Sequence, residues 1–328
     1  MHENTTRGAL RTDEPALGLT RRVLPGPDGA ALVVRTGRRR PGATSATVLL
    51  HGAAGSWSTW TPLLTASDRR GAPLTDVVIP DLPGWGESAG PVPDIAEVSA
   101  RIAGAVRALG YTRWHVVGHS MGGFLALDLA AREPDATVEV GLVSPSGPGV
   151  QLAARHRLSG AARVPGFGGM MAIMGVLRAL GGPGLALVRL LERIGMLRLL
   201  ASPLFAHPRR VDGSVIRALS HEVRPTAFAA ATRMSADYDE TRWRAIRSPM
   251  RSVRGERDVF ASADEATQLA RLLPGLRETR LRGAGHFAHI EQPAATLAAL
   301  GLGRRGAPVQ WSAYRVASPG ADVTVHGA

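Results

Sequence analysis

Short apolar runs, most of them rich in β-branched residues, punctuate the chain from residue 22 onward. Two of them, 22–24 and 31–34, flank Pro25-Gly26-Pro27-Asp28-Gly29, whose turn chemistry predicts a hairpin. Further strands are predicted at 47–50, 76–79, 114–117, 138–143, 250–253 and 276–281. They are read as apolar on both faces, the pattern of strands buried in a parallel sheet. Between them the period changes to that of a helix. Ile95, Val98, Ile102, Val106 and Leu109 recur every three or four residues and make one apolar stripe. Similar segments cover 124–132, 265–273 and 294–300. Alternation of strands and helices in this manner predicts a mostly parallel, doubly wound α/β sheet.

The alternation stops between residues 148 and 247, where helical periodicity persists without a convincing strand. Leu187, Leu190, Leu191, Ile194 and Leu197 form an apolar face with Arg189, Glu192 and Arg193 opposite. This stretch reads as a helical cap inserted after the sixth strand, with extra core helices as the alternative. The expected organisation is therefore a loose arm over 1–20, a core over 21–147 and 248–302, a cap over 148–247 and a tail over 303–328. The most apolar region, 170–200, is broken by Gly181-Gly182-Pro183-Gly184 and by five charged residues. It falls short of the roughly 20 unbroken apolar residues of a spanning helix.

Composition narrows the function classes. Cysteine is absent, which removes disulfides, a thiol nucleophile and thiolate metal ligands. The net charge of +12 rests on arginine alone, because the chain has no lysine. The arginine clusters at 38–40, 69–70, 209–210 and 304–305 are far apart and fit no nucleic-acid-binding motif. An Arg-rich solvated surface is the expectation, with attraction to an anionic substrate or membrane as the alternative. The first 22 residues lack the apolar segment of an export signal, so a cytoplasmic location is expected. The histidines are dispersed, and neither a metal site nor a cofactor is expected.

Candidate chemistry begins at Gly118-His119-Ser120-Met121-Gly122, a G-x-S-x-G string between a predicted strand and a predicted helix. A nucleophile on such a tight turn needs glycine on either side, because a Cβ there would collide with neighbouring chain. Serine requires a base held by a third group. Asp258 lies just past the strand at 250–253, and His286 just past the one at 276–281, behind Gly283-Ala284-Gly285. Strand ends on one edge of a parallel sheet face one crevice, so the three can meet. His289 and Glu256 are the rivals of His286 and Asp258; His51 and His119 are read as structural. An acyl-transfer intermediate also needs N–H donors for its oxyanion. Met121 N–H, next to the nucleophile, is one candidate, and Ala53 N–H in His51-Gly52-Ala53-Ala54-Gly55-Ser56 is the other.

These blocks, with Asp81-Leu82-Pro83-Gly84-Trp85-Gly86-Glu87-Ser88 and Gly285-His286-Phe287, resemble the α/β-hydrolase superfamily from about residue 22 to 302. The resemblance implies a helical cap after the sixth strand, where acyl selectivity usually resides, and a structural rather than catalytic Asp81. Serine at the elbow separates the chain from relatives that open epoxides or cleave carbon–halogen bonds. Carboxylesterases, small lipases, thioesterases, C–C bond hydrolases and cofactor-free perhydrolases remain, all acting on small-molecule substrates. A non-catalytic small-molecule receptor is the alternative of another class, and a membrane-associated lipase, suggested by the apolar, Arg-flanked segment 185–200 but not favoured, is a third reading. Phe167, Met170, Met171 and Met174 are expected to line an acyl pocket, since Met adapts to irregular apolar shapes.

Overall fold

A computed structural model describes residues 8–26, 29–88 and 90–303; the expected tail beyond 303 lies outside them. Eight strands form one sheet: β1 (Leu19–Pro25), β2 (Ala31–Gly37), β3 (Ser45–Leu50), β4 (Val77–Pro80), β5 (Arg113–His119), β6 (Thr137–Val143), β7 (Met250–Gly255) and β8 (Leu276–Leu281). Their order is β1-β2-β4-β3-β5-β6-β7-β8. β1 and β2 form the antiparallel hairpin, with Val23 opposite Val33, and β2 meets β4 antiparallel. Every later pairing is parallel. The register sets Leu50 beside Gly118, His119 beside Val143, Val143 beside Val253 and Gly255 beside Leu281. The carboxyl ends of β3, β5, β6, β7 and β8 thus share one edge.

Side-chain alternation divides the core between the two faces of the sheet. Val48, Leu50 and Val116 join one apolar cluster, with Ile102 of α2 (Ile95–Ala108) and Leu127 of α3 (Met121–Arg132). Leu49 and Val117 point into the other, with Leu64 of α1 (Thr61–Arg69) and Leu297 of the last helix. The stripe predicted for α2 is the face it buries, and Asp94 starts this helix by accepting the N–H of Glu97 at 2.8 Å.

Three places depart from the pattern expected. The first concerns residues 8–19 of the expected arm: Leu17 and Leu19 are buried and the N–H of Leu10 donates to Ser214 Oγ at 2.9 Å, while most of the others are exposed. β8, with Arg277, Glu278 and Arg280, is not buried on both faces. It has one strand neighbour, and charge on an open edge is tolerated and discourages intermolecular pairing. Met171, described below, is the third.

Between β6 and β7 the described regular structure is helical apart from one isolated bridge residue, Val211. The helices are α4 (Pro148–Arg155), α5 (Arg157–Arg163), α6 (Pro165–Leu180), α7 (Gly182–Arg193), α8 (Met196–Leu200), α9 (Gly213–His221) and α10 (Pro225–Ala236). α6 and α7 meet at a 120° bend. No single helix among the described residues is long and apolar enough to cross a membrane. The insertion is anchored where it returns: Tyr238 donates to Asp128 Oδ1 of α3 at 2.8 Å, and buried Trp243 packs edge-on to Phe124. The chain ends its described part with α11 (Glu265–Leu272), α12 (Ala288–Glu291) and α13 (Pro293–Leu300).

Candidate active site

Ser120 sits between β5 and α3 with φ 52° and ψ −119°, a conformation that costs a non-glycine residue roughly 1–3 kcal/mol. Its neighbours impose that turn. A Cβ on Gly118 would run into the carbonyl of Gly122, and one on Gly122 into the carbonyls of Leu50 and His51 at the end of β3. One on Gly123 would strike Pro145. The serine side chain is lifted out of the sheet edge and remains half-buried.

Asp258 follows β7 in a turn closed by its own N–H on the carbonyl of Gly255 at 3.2 Å. Its Oδ1 lies 2.9 Å from Nδ1 of His286 and accepts the N–H of Phe260 at 3.0 Å. Both side chains are nearly sealed from solvent, 2% exposed for Asp258 and 4% for His286. Burial works to raise the Asp258 pKa, but the adjacent imidazole, its hydrogen bond and Arg254 outweigh it, and the group ends below its ordinary value. The carboxylate therefore orients the ring through Nδ1, which leaves Nε2 for chemistry. Phe260 closes over the ring edge-on, centroids 4.5 Å apart.

The rivals are placed elsewhere. Glu256 is exposed and receives the N–H of Gly283 at 3.4 Å. His289 is fully buried among Trp60 and His119, with no hydrogen-bond partner on either nitrogen. Burial, and then the charge of His286, push its pKa down to about 3. His51 Nε2 accepts the N–H of Leu82 at 2.9 Å, so its Nδ1 carries the proton and donates to the carbonyl of Gly52 at 2.8 Å. It clamps the loop after β3 to the loop after β4. His119 Nε2 lies 3.1 Å from the carbonyl of His286, and burial drives its pKa well below the ordinary value. Asp81, buried, accepts the N–H groups of Trp57 and Glu87 at 2.8 and 3.1 Å and pairs with Arg35 at 3.1 Å. Its bonds hold loops.

Ser120 and His286 line one cavity, together with Ala53 and Met121. Neither Ala53 N–H nor Met121 N–H has an acceptor among the described residues. Met121 opens α3, where first-turn N–H groups have no intrahelical partner and the helix dipole favours negative charge. The insertion contributes Phe167, Met170 and Met174 of α6 to the lining; Met171 is absent from it and packs with Val150, Ala153 and Val164 instead. Met171 sits at the flank of that face, about 100° around the helix from Met170 but one turn on from Phe167, whose cluster it joins.

Three contributors were not visible in sequence. Phe260 is one. Arg254, buried at the end of β7, lies 3.9 Å from Asp258 Oδ2 and 3.4 Å from Glu278. Glu265, also buried, accepts the N–H of Gly149 at 3.1 Å and the Ser262 hydroxyl at 2.9 Å, which fastens α4 to the core beside Asp258. Desolvation raises its pKa. A charge closing the strand, as Arg254 does after Met250-Arg251-Ser252-Val253, is the one sequence signal that points toward this network.

Comparison with known proteins agrees with the architecture. Over 121 residues the chain is 37% identical to a 2-hydroxy-6-oxo-6-phenylhexa-2,4-dienoate hydrolase of Burkholderia cepacia; the match spans 34% of this chain and 40% of that protein. A pimeloyl-[acyl-carrier protein] methyl ester esterase of Aromatoleum aromaticum is 29% identical over 262 residues, 75% of this chain and 92% of its own length. The enol-lactonase of Burkholderia xenovorans superposes with a TM-score of 0.60 at 20% identity, over 84% of this chain and 97% of that one, a likeness of fold. A family model, that of the alpha/beta hydrolase family, matches residues 47–300. With that match over most of its length, and with the sheet and elbow described above, the chain belongs to the α/β-hydrolase family.

Proposed function

We propose that this chain is a serine hydrolase that cleaves a carboxylic ester or a related acyl bond. The observation that carries the reading is the Asp258–His286 hydrogen bond of 2.9 Å at the wall of a cavity that also holds Ser120 on its strained turn. Ser120 Oγ bonds to the acyl carbon as its proton passes to His286 Nε2, and the carbonyl π electrons move to oxygen. The N–H groups of Ala53 and Met121 receive that oxyanion. Collapse re-forms the carbonyl and expels the leaving group, which takes the proton from Nε2. Water then attacks the acyl-enzyme, with His286 again as base, and releases the acid and Ser120. Asp258 keeps the ring in one tautomer and stabilises the imidazolium.

A C–C bond hydrolase on the same triad is the second reading, favoured by the likeness to the Burkholderia cepacia protein. That relative acts on a carboxylate, by its name. Among the described residues that line the cavity here there is no arginine, and the walls are mostly apolar, with Ser146, Thr232 and Ser235 as polar members beside Ser120 and His286. An anionic substrate has no buried cation to meet it, whereas an uncharged acyl chain loses nothing on entry. The apolar walls therefore support an ester.

Purified protein is expected to react rapidly and stoichiometrically with a fluorophosphonate at Ser120. Ser120→Ala should lower turnover of p-nitrophenyl esters by at least about a thousandfold. Folded protein that resists the label, or a Ser120→Ala variant with undiminished turnover, rejects the reading. Faster cleavage of vinylogous diketones than of esters selects the second one.

A further inference from the structure

The helical insertion has an inner and an outer side of similar apolarity. Leu177 of α6 packs on Val188 of α7, while Phe167, Met170 and Met174 line the cavity. On the far side Ile173 is 57% exposed, Val176 58% and Leu180 48%. Leu187 and Leu190 of α7 and then Ile194 continue the surface at 46%, 53% and 60%. Ten large hydrophobic side chains are strongly exposed among the described residues, and nine of them lie between Ile173 and Leu200. Isolated exposed leucines need no explanation, but a contiguous set does.

Charge around this surface selects what covers it. Between residues 165 and 210 there are six arginines and one acidic residue, Glu192, which faces Arg217 at 3.8 Å. Arg178, Arg189, Arg193, Arg209 and Arg210 are exposed. A second copy of the chain would set these guanidinium groups against their own kind. A lipid surface instead offers phosphates to the arginines and hydrocarbon to the leucines, the two-faced match of an interfacial helix. α6 and α7 are long and apolar enough for a span only when taken together, and they are bent by 120° where they meet.

We infer that the outer face of α6–α8 docks on an anionic phospholipid bilayer. The one wall shared by the docked face and the cavity is α6, so docking would set an acyl substrate held in the bilayer against the helix that carries Phe167, Met170 and Met174 of the lining. This last point rests on the hydrolase reading; the docking does not.

The test uses the full chain carrying Ser120→Ala and flotation with vesicles, so that binding is read without turnover. Binding is expected to equimolar phosphatidylglycerol–phosphatidylcholine vesicles at low salt, with much weaker binding to phosphatidylcholine alone. The pair Val176→Asp and Leu190→Asp should weaken it by at least about tenfold. The triple change Arg178→Gln, Arg189→Gln, Arg193→Gln should remove the preference for anionic lipid, since each basic residue near such a surface adds to the attraction. Restored Ser120 in the Asp pair should still hydrolyse soluble p-nitrophenyl butyrate within about twofold of the parent, as these positions lie outside the cavity. Absence of vesicle binding, or binding untouched by the Asp pair, overturns the docking. So does light scattering that shows a stable dimer dissociated by Val176→Asp. Vesicle binding through this face by a chain that resists fluorophosphonate upholds the docking and rejects the hydrolase reading.

Discussion

The sheet edge and the helical insertion meet at one cavity, yet they are held by different means. At the edge the backbone itself is packed: Gly118, Gly122 and Gly123 have no room for a methyl group, and Ser120 is held in a strained conformation by the strands around it. Hydrogen bonds fix the companions: Asp258 accepts from His286, and His51 bridges the loops after β3 and β4. In the insertion the glycines Gly169, Gly175, Gly181 and Gly182 have open space around them, and the apolar side chains divide between cavity and exterior. Chemistry that needs atoms within tenths of an ångström is built on the first kind of structure, and selection of an apolar partner can be left to the second.

The contrast is sharpest between two helical glycines. In α3, a Cβ at Gly122 meets backbone carbonyls of Leu50 and His51, which cannot rotate away as a side chain end can. Gly122→Ala should therefore destabilise the fold by about 3 kcal/mol or more, measured by urea unfolding. On the proposed mechanism it should also lower kcat, since the displaced chain leads to Ala53, whose N–H is proposed to receive the oxyanion. A variant that is as stable as the parent would mean that the edge is softer than its packing implies.

Acid sensitivity belongs to the same side of the comparison. His51, His119 and His289 are buried at the sheet edge, whereas His156 and His221 of the insertion are exposed. His289 has a folded pKa of about 3 against an ordinary 6.5. A group held neutral in this way adds a stability that is complete above about pH 6.5, because there neither state binds the proton. As pH falls from 6.5 to about 3 the unfolded chain takes up the proton first, and stability declines by up to about 1.4 kcal/mol per pH unit. His289→Phe removes that proton without breaking a hydrogen bond, since both ring nitrogens lack partners. Its urea midpoint should fall less steeply between pH 6 and 4 than the parent's. Equal slopes would place the acid sensitivity elsewhere.

Legibility in the sequence follows the same division. Strands β3 to β7 were readable because burial on both faces leaves near-continuous apolar runs, and the elbow because glycine is demanded at fixed offsets from Ser120. Asp258 and His286 each lie just past a strand, and their hydrogen bond joins the two strand ends. The exposure of β8 was not readable, since edge position is a property of strand order and not of the strand. Met171 was misplaced beside Met170 and Met174 because composition marks an apolar helix but not its rotation against its neighbours. The stripe of Leu187, Leu190 and Ile194 was visible as a stripe, yet periodicity cannot say whether anything covers it; here nothing among the described residues does. Arg254 and Glu265 reach their partners across the fold, over distances that no local pattern encodes.

The smallest effect tests the insertion directly. Gly175 lies inside α6, is exposed, and a Cβ there would meet nothing within 4 Å. Glycine in a helix interior is less favourable than alanine by about 0.5–1 kcal/mol, because the unfolded chain has more conformations to lose. Gly175→Ala should therefore raise stability by up to about that amount, with ester turnover unchanged because the position does not line the cavity. The identical chemical change that breaks α3 at Gly122 would strengthen α6 at Gly175. If Gly175→Ala instead lowered turnover while raising the unfolding midpoint, flexibility of α6 would itself be part of the route to Ser120, and a stiffened wall would hinder entry.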